Sequence, residues 1–247
     1  MSSSPTAADI DRATIVSWPA AVTEDRNGWI CLAAGGVTGR VNAAWPLDWR
    51  GGDLDAGIDD IEAWYVARNL PPRFKITEGA CEPSNLSARL AERGYECVMP
   101  TLVMTAPVCA ISPQEDVKLY TALPPAFDAV IRETSKDDAE YDERLSIALR
   151  APQPAVFAVI EHEGRPVAIG MSAAAGELAG VFLMRTAPEA RRRGLARRIF
   201  RALMARCSEW KVQTAFLQVE DNNANAIGLY ESEGFTRLTS YSFWRKP

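Results

Sequence analysis

The sequence predicts an α/β fold, because strand-like and helix-like segments alternate through its second half. An apolar run at 179–186 leads through the turn Pro188–Glu189 into an amphipathic stretch, 195–210, that contains no proline or glycine. A second alternation follows, from the apolar run 214–219 to a helix that we expect to begin at about Asn223. These two observations favour helices packed against a central sheet.

Periodicity and turn residues define the other elements of that half. Prolines at 124 and 125 begin one helix, and prolines at 152 and 154 end the next. In chain order we predict strand 117–120, helices 124–135 and 138–150, strands 155–160, 166–171 and 179–186, helix 195–210, strand 214–219, a helix from Asn223, and two short strands near Phe235 and at 241–244.

The first half reads as a smaller unit, which a proline-bounded stretch at 107–113 separates from the second half. A glycine-rich segment between two apolar runs predicts a hairpin in this half. Its elements are strands 29–34 and 40–45, helix 58–69, strand 73–77, helix 85–93 and strand 102–105. We therefore predict two domains, at residues 1–110 and 111–247.

The composition is that of an ordinary folded protein. Of 247 residues, 47% are hydrophobic and 24% are charged, and no apolar run reaches the ~18 residues that a membrane span needs. The start Met1–Pro5 lacks a basic segment followed by an apolar one, so we expect no secretory signal and a cytoplasmic location. Five cysteines without a Cys-x-x-Cys pair, beside a single histidine, predict no metal site.

Positive charge is concentrated at one place in an acidic chain. The net charge is −5, yet residues 185–206 hold eight arginines against one acid, a local charge of +7. Such a patch suits a compact polyanion better than a long nucleic acid, which usually meets a broadly basic surface. Arg197, Arg198 and Arg201 could equally be a solvated helix face, because arginine is a good helix former.

The start of the helix at Leu195 is the strongest candidate for an anion site. The unpaired amides of a helix N-terminus and the helix dipole attract negative charge. Gly194 and Ala196 lack bulk, so a diphosphate could approach the backbone closely. Three cations at this end oppose the dipole unless an anion is bound, and their guanidinium groups can bond its oxygens: Arg191, Arg192 and Arg193.

Two motifs resemble those of the GNAT superfamily of N-acetyltransferases. Arg191, Gly194 and Ala196 match its coenzyme A signature, Gln/Arg-x-x-Gly-x-Gly/Ala. Downstream, a strand is followed by Asn223-x-x-Ala and then by Leu-Tyr230-x-x-x-Gly-Phe, as in that superfamily. The order of elements from about residue 112 onward is also similar to its layout. The resemblance implies a mixed, mostly antiparallel central sheet flanked by helices, with acetyl-CoA as cosubstrate and no metal.

The first half shows only a trace of the same pattern. Segment 88–95 faintly echoes 228–235, so we predict that residues 1–110 form a smaller, degenerate GNAT-like domain, as in tandem members of the superfamily. This half has no Arg-x-x-Gly-x-Ala equivalent, so we expect it to bind no coenzyme A. It would shape the acceptor pocket, or else serve as a scaffold or dimerisation surface.

The resemblance also implies roles for individual residues. In this fold the strands before and after the signature helix splay apart, and backbone groups of Leu183, Met184 and Thr186 would hold the acyl-carrying arm between them. A backbone N–H near Leu183 would polarise the acetyl carbonyl. The side chains of these residues would be ordinary core.

Asn223 and Tyr230 align with family residues near that arm. Asn223 would help to hold the pantetheine arm, although an asparagine at a helix start is also a common N-cap. Tyr230 would protonate the leaving thiolate or donate a hydrogen bond to it, since a phenol has a pKa of ~10. Alternatively, Tyr230 is a half-buried core aromatic.

A general base is harder to assign. Some members of the superfamily place a glutamate where this chain has Gln218, and an amide cannot take up the proton. Glu220 lies two residues further along the same strand face and could act through water, although a carboxylate at a strand end is more often merely solvated. His162 lies in a turn away from the expected thioester, and we expect it at the surface.

These features predict an N-acetyltransferase that transfers acetyl from acetyl-CoA directly to a primary amine of a small molecule. The same site could instead serve a non-catalytic acyl-CoA sensor, and protein lysines or N-termini could replace the small molecule. We expect neither nucleic acid nor membrane as a partner, and either a monomer or a homodimer.

Overall fold

The structure, a computed structural model, describes residues 4–112 and 114–247. Met1–Ser3, in the segment inspected for a secretory signal, and Pro113, in the predicted linker, lie outside the described residues. Helices cover both faces of a single sheet. They are α1 Ala7–Ser17, α2 Leu54–Val66, α3 Leu86–Glu92, α4 Pro125–Thr134, α5 Asp138–Leu149, α6 Leu195–Ser208 and α7 Ala224–Ser232.

The sheet has eleven described strands and is mixed but mostly antiparallel, as predicted. Their spatial order is β1-β2-β3-β4-β11-β5-β10-β9-β8-β7-β6, in which the β3–β4 and β9–β10 pairs are parallel. The bounds are β1 Val22–Arg26, β2 Trp29–Ala33, β3 Ala44–Pro46, β4 Arg73–Thr77, β5 Glu96–Pro107, β6 Lys118–Tyr120, β7 Ala155–His162, β8 Arg165–Ala175, β9 Leu178–Thr186, β10 Thr214–Glu220 and β11 Thr236–Arg245.

Strands in the middle of the second half are apolar along both faces because both faces are covered. Phe157 and Val159 of β7 belong to one core, and Val156 and Ala158 belong to another. Side chains alternate between the two faces of a strand, so these cores lie on opposite sides of the sheet. Helices α1 and α4 pack on the first side and α6 packs on the second.

The last strands of the two halves are interleaved. β11, from the end of the chain, lies between β4 and β5 of the first half, and β5 in turn lies between β11 and β10. The segments 88–95 and 228–235 end with the same hydrogen bond. The N–H of Tyr95 donates to the carbonyl oxygen of Leu90, and the N–H of Phe235 donates to that of Tyr230, both at 3.0 Å. The predicted division at 110/111 and the repeat origin of the first half stay predictions.

Most predicted elements are present, and the differences have local causes. The strands predicted near Phe235 and at 241–244 are one strand, β11, because register shifts at Arg237/Thr239 and Tyr241/Phe243 bend it without ending it. In the predicted hairpin, the second strand begins only at Ala44, since 39–41 forms a 3-10 turn.

Helix α1 was not predicted from the sequence, because its inward face mixes polar with apolar residues. Asp11 and Thr14 are buried on this helix, and no apolar stripe marks it. Asp11 accepts a hydrogen bond from the buried Lys75 Nζ of β4 at 2.7 Å, and Nζ lies 4.0 Å from the ring centroid of Tyr241 in β11. The polar residues of α1 therefore pair with specific groups of the sheet, beside the apolar contact that Ile10 and Ala13 make with the core.

The interleaved strands make a prediction about fragments. We expect residues 111–247 expressed alone to lack a cooperative thermal transition, because removing β5 leaves the central strands β10 and β11 with unpaired edges. Co-expression with residues 1–110 should restore a soluble complex of the two fragments. The measurement is thermal denaturation followed by circular dichroism. A soluble 111–247 fragment that melts cooperatively would contradict the dependence on β5.

Candidate active site

A cavity of about 960 Å³ opens where β9 and β10 separate. The two strands pair in parallel over 178–180 and 214–216 and over no later residues of either strand. Beyond that point β9 remains paired with β8, and β10 remains paired with β5. The facing edges of β9 and β10 therefore diverge and leave backbone groups of both strands open to the cavity, as the resemblance implies.

Aromatic side chains lie at the point of divergence. The ring of Phe182 packs edge-on against that of Phe216 with centroids 6.1 Å apart, and Gly180 leaves room for it, since a Cβ there would collide with the Phe182 ring. Trp18 of the first half stacks on Phe182 at 4.9 Å. Trp18 and Phe182 also line the cavity. Residues of both halves therefore form its inner end.

A β-bulge in β9 lies on the cavity wall. Ile169 pairs with Arg185 and Met171 with Phe182, so Leu183 and Met184 together oppose the single residue Gly170. Leu183 has φ +50°, and a bulge leaves its extra residue out of the hydrogen-bond ladder. Its backbone can therefore turn toward a ligand.

Gly170 explains how the bulge is supported. A Cβ at this position would lie 2.5 Å from Met184 Sδ and 2.6 Å from Ile199 Cγ2, so the side chain of Met184 packs toward α6 where only a glycine fits. Leu183, Met184 and Thr186 all line the cavity. Their contact with an acyl arm stays a prediction, and the geometry suits one that is made through the backbone.

The signature loop leaves the N-terminus of α6 open. Gly194 is its N-cap, with φ +75°, and no side chain caps the helix. A Cβ on Gly194 would meet no atom within 4 Å, so there is open space beside the first amides of Leu195 and Ala196. Because an uncapped helix start attracts anions, this position suits a diphosphate.

The arginines of the signature region fall into two groups. Arg191, Arg192 and Arg193 are exposed and have no carboxylate partner in the part of the chain that the structure describes. Arg193 Nη2 lies 3.3 Å from Nε2 of His162, which is a surface residue as expected. By contrast, Arg197 and Arg201 form ion pairs with Glu233, and Arg198 pairs with Asp116. The second group is a helix face, whereas the first is available to an anion.

Tyr230 lies on α7 and lines the cavity, and the residue is 7% exposed. The ring packs against Phe200 and Phe235 at centroid distances of 5.7 and 6.3 Å. Its hydroxyl makes no hydrogen bond to another described residue. Burial raises the pKa of Tyr230 to about 12, so the phenol keeps its proton at neutral pH. The position is compatible with both earlier interpretations, a core aromatic and a proton donor.

Asn223 and Glu220 flank the turn after β10 and line the same cavity. Asn223 caps α7, since its Oδ1 accepts a hydrogen bond from the N–H of Ala226 at 3.2 Å. Glu220 is the exposed last residue of β10. Capping by Asn223 is therefore present, and ligand contact by either residue stays a prediction.

Gln218 links β10 to the first half of the chain. Its Nε2 donates to Oγ1 of Thr14 at 2.9 Å, and its Oε1 accepts from Nη1 of Arg40 at 3.3 Å. The amide thus donates one hydrogen bond and accepts the other, whereas a carboxylate could only accept. Arg40 and Arg144 also line the cavity and were not predicted, because no local motif marks them, whereas Arg185 had been counted only as part of the basic patch at 185–206.

The described ranges contain neither a cluster suited to a metal ion nor a helix suited to a membrane span. No group of three or more His, Cys, Asp or Glu side chains in 4–112 and 114–247 is arranged to hold a metal ion. None of the helices in those ranges has the length and apolar character required to cross a bilayer.

Sequence comparisons extend over both halves of the chain. A protein-family model described as "Probable histone acetyltransferase Rv0428c C-terminal" matches residues 7–243. The "Uncharacterized N-acetyltransferase YobR" of Bacillus subtilis (strain 168) is 26% identical over 242 residues, which are 95% of this chain and 96% of that relative.

Solved structures share the fold. A "GCN5-related N-acetyltransferase from Kribbella flavida" has a TM-score of 0.74 at 17% identity, covering 99% of this chain and 97% of its own. A "GCN5-related N-Acetyltransferase from Sphaerobacter thermophilus" has a TM-score of 0.59 at 20% identity, covering 80% of this chain and 69% of its own. At these identities the likeness concerns the fold, and in the first case it covers nearly all of both chains.

Proposed function

The chain belongs to the Rv0428c C-terminal family of GNAT acetyltransferases. We propose that it transfers an acetyl group from acetyl-CoA directly to a primary amine of a small molecule. The observation that carries this proposal is the cavity between the diverging strands β9 and β10, with an open helix N-terminus beside it. A thioester arm and a diphosphate need these two features at neighbouring positions.

The cosubstrate would be held mainly by backbone groups. The amides at Gly194, Leu195 and Ala196 would bind the diphosphate, with Arg191, Arg192 and Arg193 supplying positive charge. Leu183, Met184 and Thr186 would bind the acyl-carrying arm along the open edge of β9. An N–H of the bulge at Leu183 would donate to the acetyl oxygen and stabilise the charge that develops there.

The transfer step requires a proton donor and a proton acceptor. The amine nitrogen forms a bond to the acetyl carbon, the carbon–sulfur bond breaks, and the sulfur leaves with the electron pair. Tyr230, which keeps its proton because its pKa is about 12, would donate it or a hydrogen bond to that sulfur. Glu220 would accept the proton of the amine through water, and Asn223 would help to position the arm.

The small size of the proposed acceptor agrees with the residues that line the cavity. Trp18 and residues 37–40 of the first half line it, together with Thr134 and Glu140 from the two helices α4 and α5. The family model's description names a histone acetyltransferase, so protein lysines remain the principal alternative among acceptors. The enclosing residues from the first half favour the smaller amine.

One observation favours a second candidate, a non-catalytic acyl-CoA sensor. Gln218, at the position where some superfamily members have a glutamate, is engaged by Thr14 and Arg40 and cannot act as a base. The exposed Glu220 is then the remaining carboxylate on this strand. Binding of acetyl-CoA without turnover would be the signature of a sensor.

Thiol release separates these candidates. With acetyl-CoA and a panel of primary amines, we expect free thiol to appear in proportion to amide product and only when both substrates are present, because transfer is direct. Initial rates varied in both substrates should give intersecting double-reciprocal lines. Acetyl-CoA binding by calorimetry without thiol release above background for any small amine or lysine peptide would contradict the enzyme proposal and support the sensor.

A further inference from the structure

Three arginines line the cavity on the side away from α6, and we call them the arginine wall: Arg40, Arg144 and Arg185. Arg40 lies in the 3-10 turn at 39–41, Arg144 on α5 and Arg185 on β9. Nη1 of Arg185 donates to the carbonyl oxygen of Thr134 in α4 at 2.6 Å. Because α4 and α6 cover opposite faces of the sheet, the wall is separate from the helix start that would hold the diphosphate.

The arginine wall carries more positive charge than its neighbours neutralise. Arg144 forms an ion pair with Glu140, with Nη2 and Oε1 2.5 Å apart, whereas Arg40 and Arg185 have no carboxylate partner among the described residues. Glu143 does not compensate them directly. Its carboxylate accepts hydrogen bonds from backbone N–H groups at 37 and 38 and from Nδ2 of Asn42.

Other charged groups on the cavity lining do not reverse this balance. Lys136 adds a further cation, whose Nζ lies 4.0 Å from Oδ2 of Asp137, and Arg191 adds one on the side of the signature loop. Glu220 is the second acidic residue in the lining and is exposed at the end of β10. The acceptor side of the cavity therefore has a net positive charge.

Burial disfavours the charged form of these arginines. Burial, and after it the positive charge of Arg144, lowers the pKa of Arg185 to about 10. Burial also lowers the pKa of Arg144, with Glu140 opposing and Arg40 reinforcing the shift. Guanidinium groups remain protonated at neutral pH, so their mutual repulsion persists in the folded protein. An anion bound among them would relieve it.

Two hydrogen-bond donors in residues that line the cavity lack acceptors. Nη1 of Arg144 and Nε1 of Trp18 are buried and have no hydrogen-bond partner, and both residues line the cavity. Buried donors are nearly always paired in folded proteins. Arg40 and Arg185 line the same cavity without a carboxylate partner among the described residues, so the set suits a ligand that brings several acceptor oxygens.

We propose that the acceptor is an amine that also bears an oxyanion, a carboxylate or a phosphate, and that the arginine wall binds this oxyanion. The inference rests on the proposed function, because it assigns the wall to the acceptor. A guanidinium group forms paired hydrogen bonds to either oxyanion. The same wall would repel lysine-rich polypeptide segments, which distinguishes this acceptor class from histone tails.

The test uses the full-length protein and amine pairs that differ in the oxyanion: leucine and leucinamide, tyrosine and tyramine, lysine and cadaverine, and O-phosphoethanolamine and ethanolamine. The readouts are kcat/KM from thiol release and Kd from calorimetry with coenzyme A present. We expect the anionic member of at least one pair to be favoured about 100-fold. The pair that shows this preference distinguishes carboxylate from phosphate.

Variants test whether the preference for the anionic amine depends on the arginine wall. Arg40→Gln and Arg185→Gln should each reduce the preference about tenfold, measured as the ratio of kcat/KM for the anionic and the neutral member of one pair, so that any loss common to both members cancels. Arg50→Gln is the matched control, since Arg50 is an exposed arginine paired with Asp25 and does not line the cavity. It should leave the preference unchanged.

The two readouts separate failure of this inference from failure of the proposed function. Thiol release with neutral amines alone would overturn the inference and keep the function. Arginine-dependent binding of an anionic amine without thiol release would keep the inference about the wall and contradict the function. Binding of none of the anionic amines, or a preference that survives the loss of both Arg40 and Arg185, would overturn the inference.

Discussion

Tyr230→Phe is expected to lower the rate of acetyl transfer by about 100-fold or more, with nearly unchanged affinity for acetyl-CoA. The substitution keeps the ring that packs against Phe200 and Phe235 and removes only the hydroxyl, which makes no hydrogen bond to a described residue. The loss should therefore appear in the chemical step. Single-turnover measurement of thiol release reports this step without product release.

The control is Tyr95→Phe, which removes the same atom from a similarly buried ring. The Tyr95 hydroxyl bonds Glu62 in the first half of the chain and does not line the cavity. We expect this variant to transfer acetyl at the wild-type rate. A single-turnover rate of Tyr230→Phe within twofold of wild type would show that Tyr230 is a core aromatic only.

Gly194→Val is expected to weaken acetyl-CoA binding about 100-fold or more. Gly194 has φ +75°, a conformation that a β-branched residue adopts only under strain, so the loop would shift the first amides of α6. The valine side chain would also occupy the open space through which a diphosphate approaches these amides. Isothermal calorimetry with acetyl-CoA gives both the affinity and the number of sites, which we expect to be one per chain.

Gly79→Val is the control variant for the effect of backbone strain alone. Gly79 also has φ +75° and no atom within 4 Å of a Cβ, but it lies in the turn after β4. The two variants should lose similar stability on thermal denaturation, and only Gly194→Val should lose affinity. Equal acetyl-CoA affinity in the two variants, or two binding sites per chain, would contradict the assignment of the diphosphate site.

Local sequence signals were sufficient for most of the second half of the fold. The break in periodicity at Gly194 places the start of α6, and apolar runs place the strands on either side of it. Helix α1 carries no such signal, since its inward residues Asp11 and Thr14 pair with distant side chains. The position of β5 between β10 and β11 could not be predicted either, because strand order depends on contacts remote in sequence.

The candidate site divides in the same way. The proposed cosubstrate side is drawn from two contiguous motifs, so Gly194, Asn223 and Tyr230 could be named from the sequence, and their contact with a ligand stays a prediction. Its acceptor side is assembled from Arg40, Arg144 and other residues that lie on separate elements. In the sequence, single arginines this far apart cannot be distinguished from surface arginines, because only the fold brings them together. The bulge at Leu183 was likewise invisible, since it depends on the register between β8 and β9.

The most direct test of the account is a crystal structure of the protein with acetyl-CoA bound. We expect electron density for the diphosphate against the amides of Gly194 to Ala196 and for the acyl arm between β9 and β10. The thioester sulfur should lie within hydrogen-bond reach of the Tyr230 hydroxyl, and the acetyl oxygen within about 3.2 Å of a backbone N–H at the Leu183 bulge. Density for acetyl-CoA elsewhere on the chain, with the gap between β9 and β10 left open, would contradict the account.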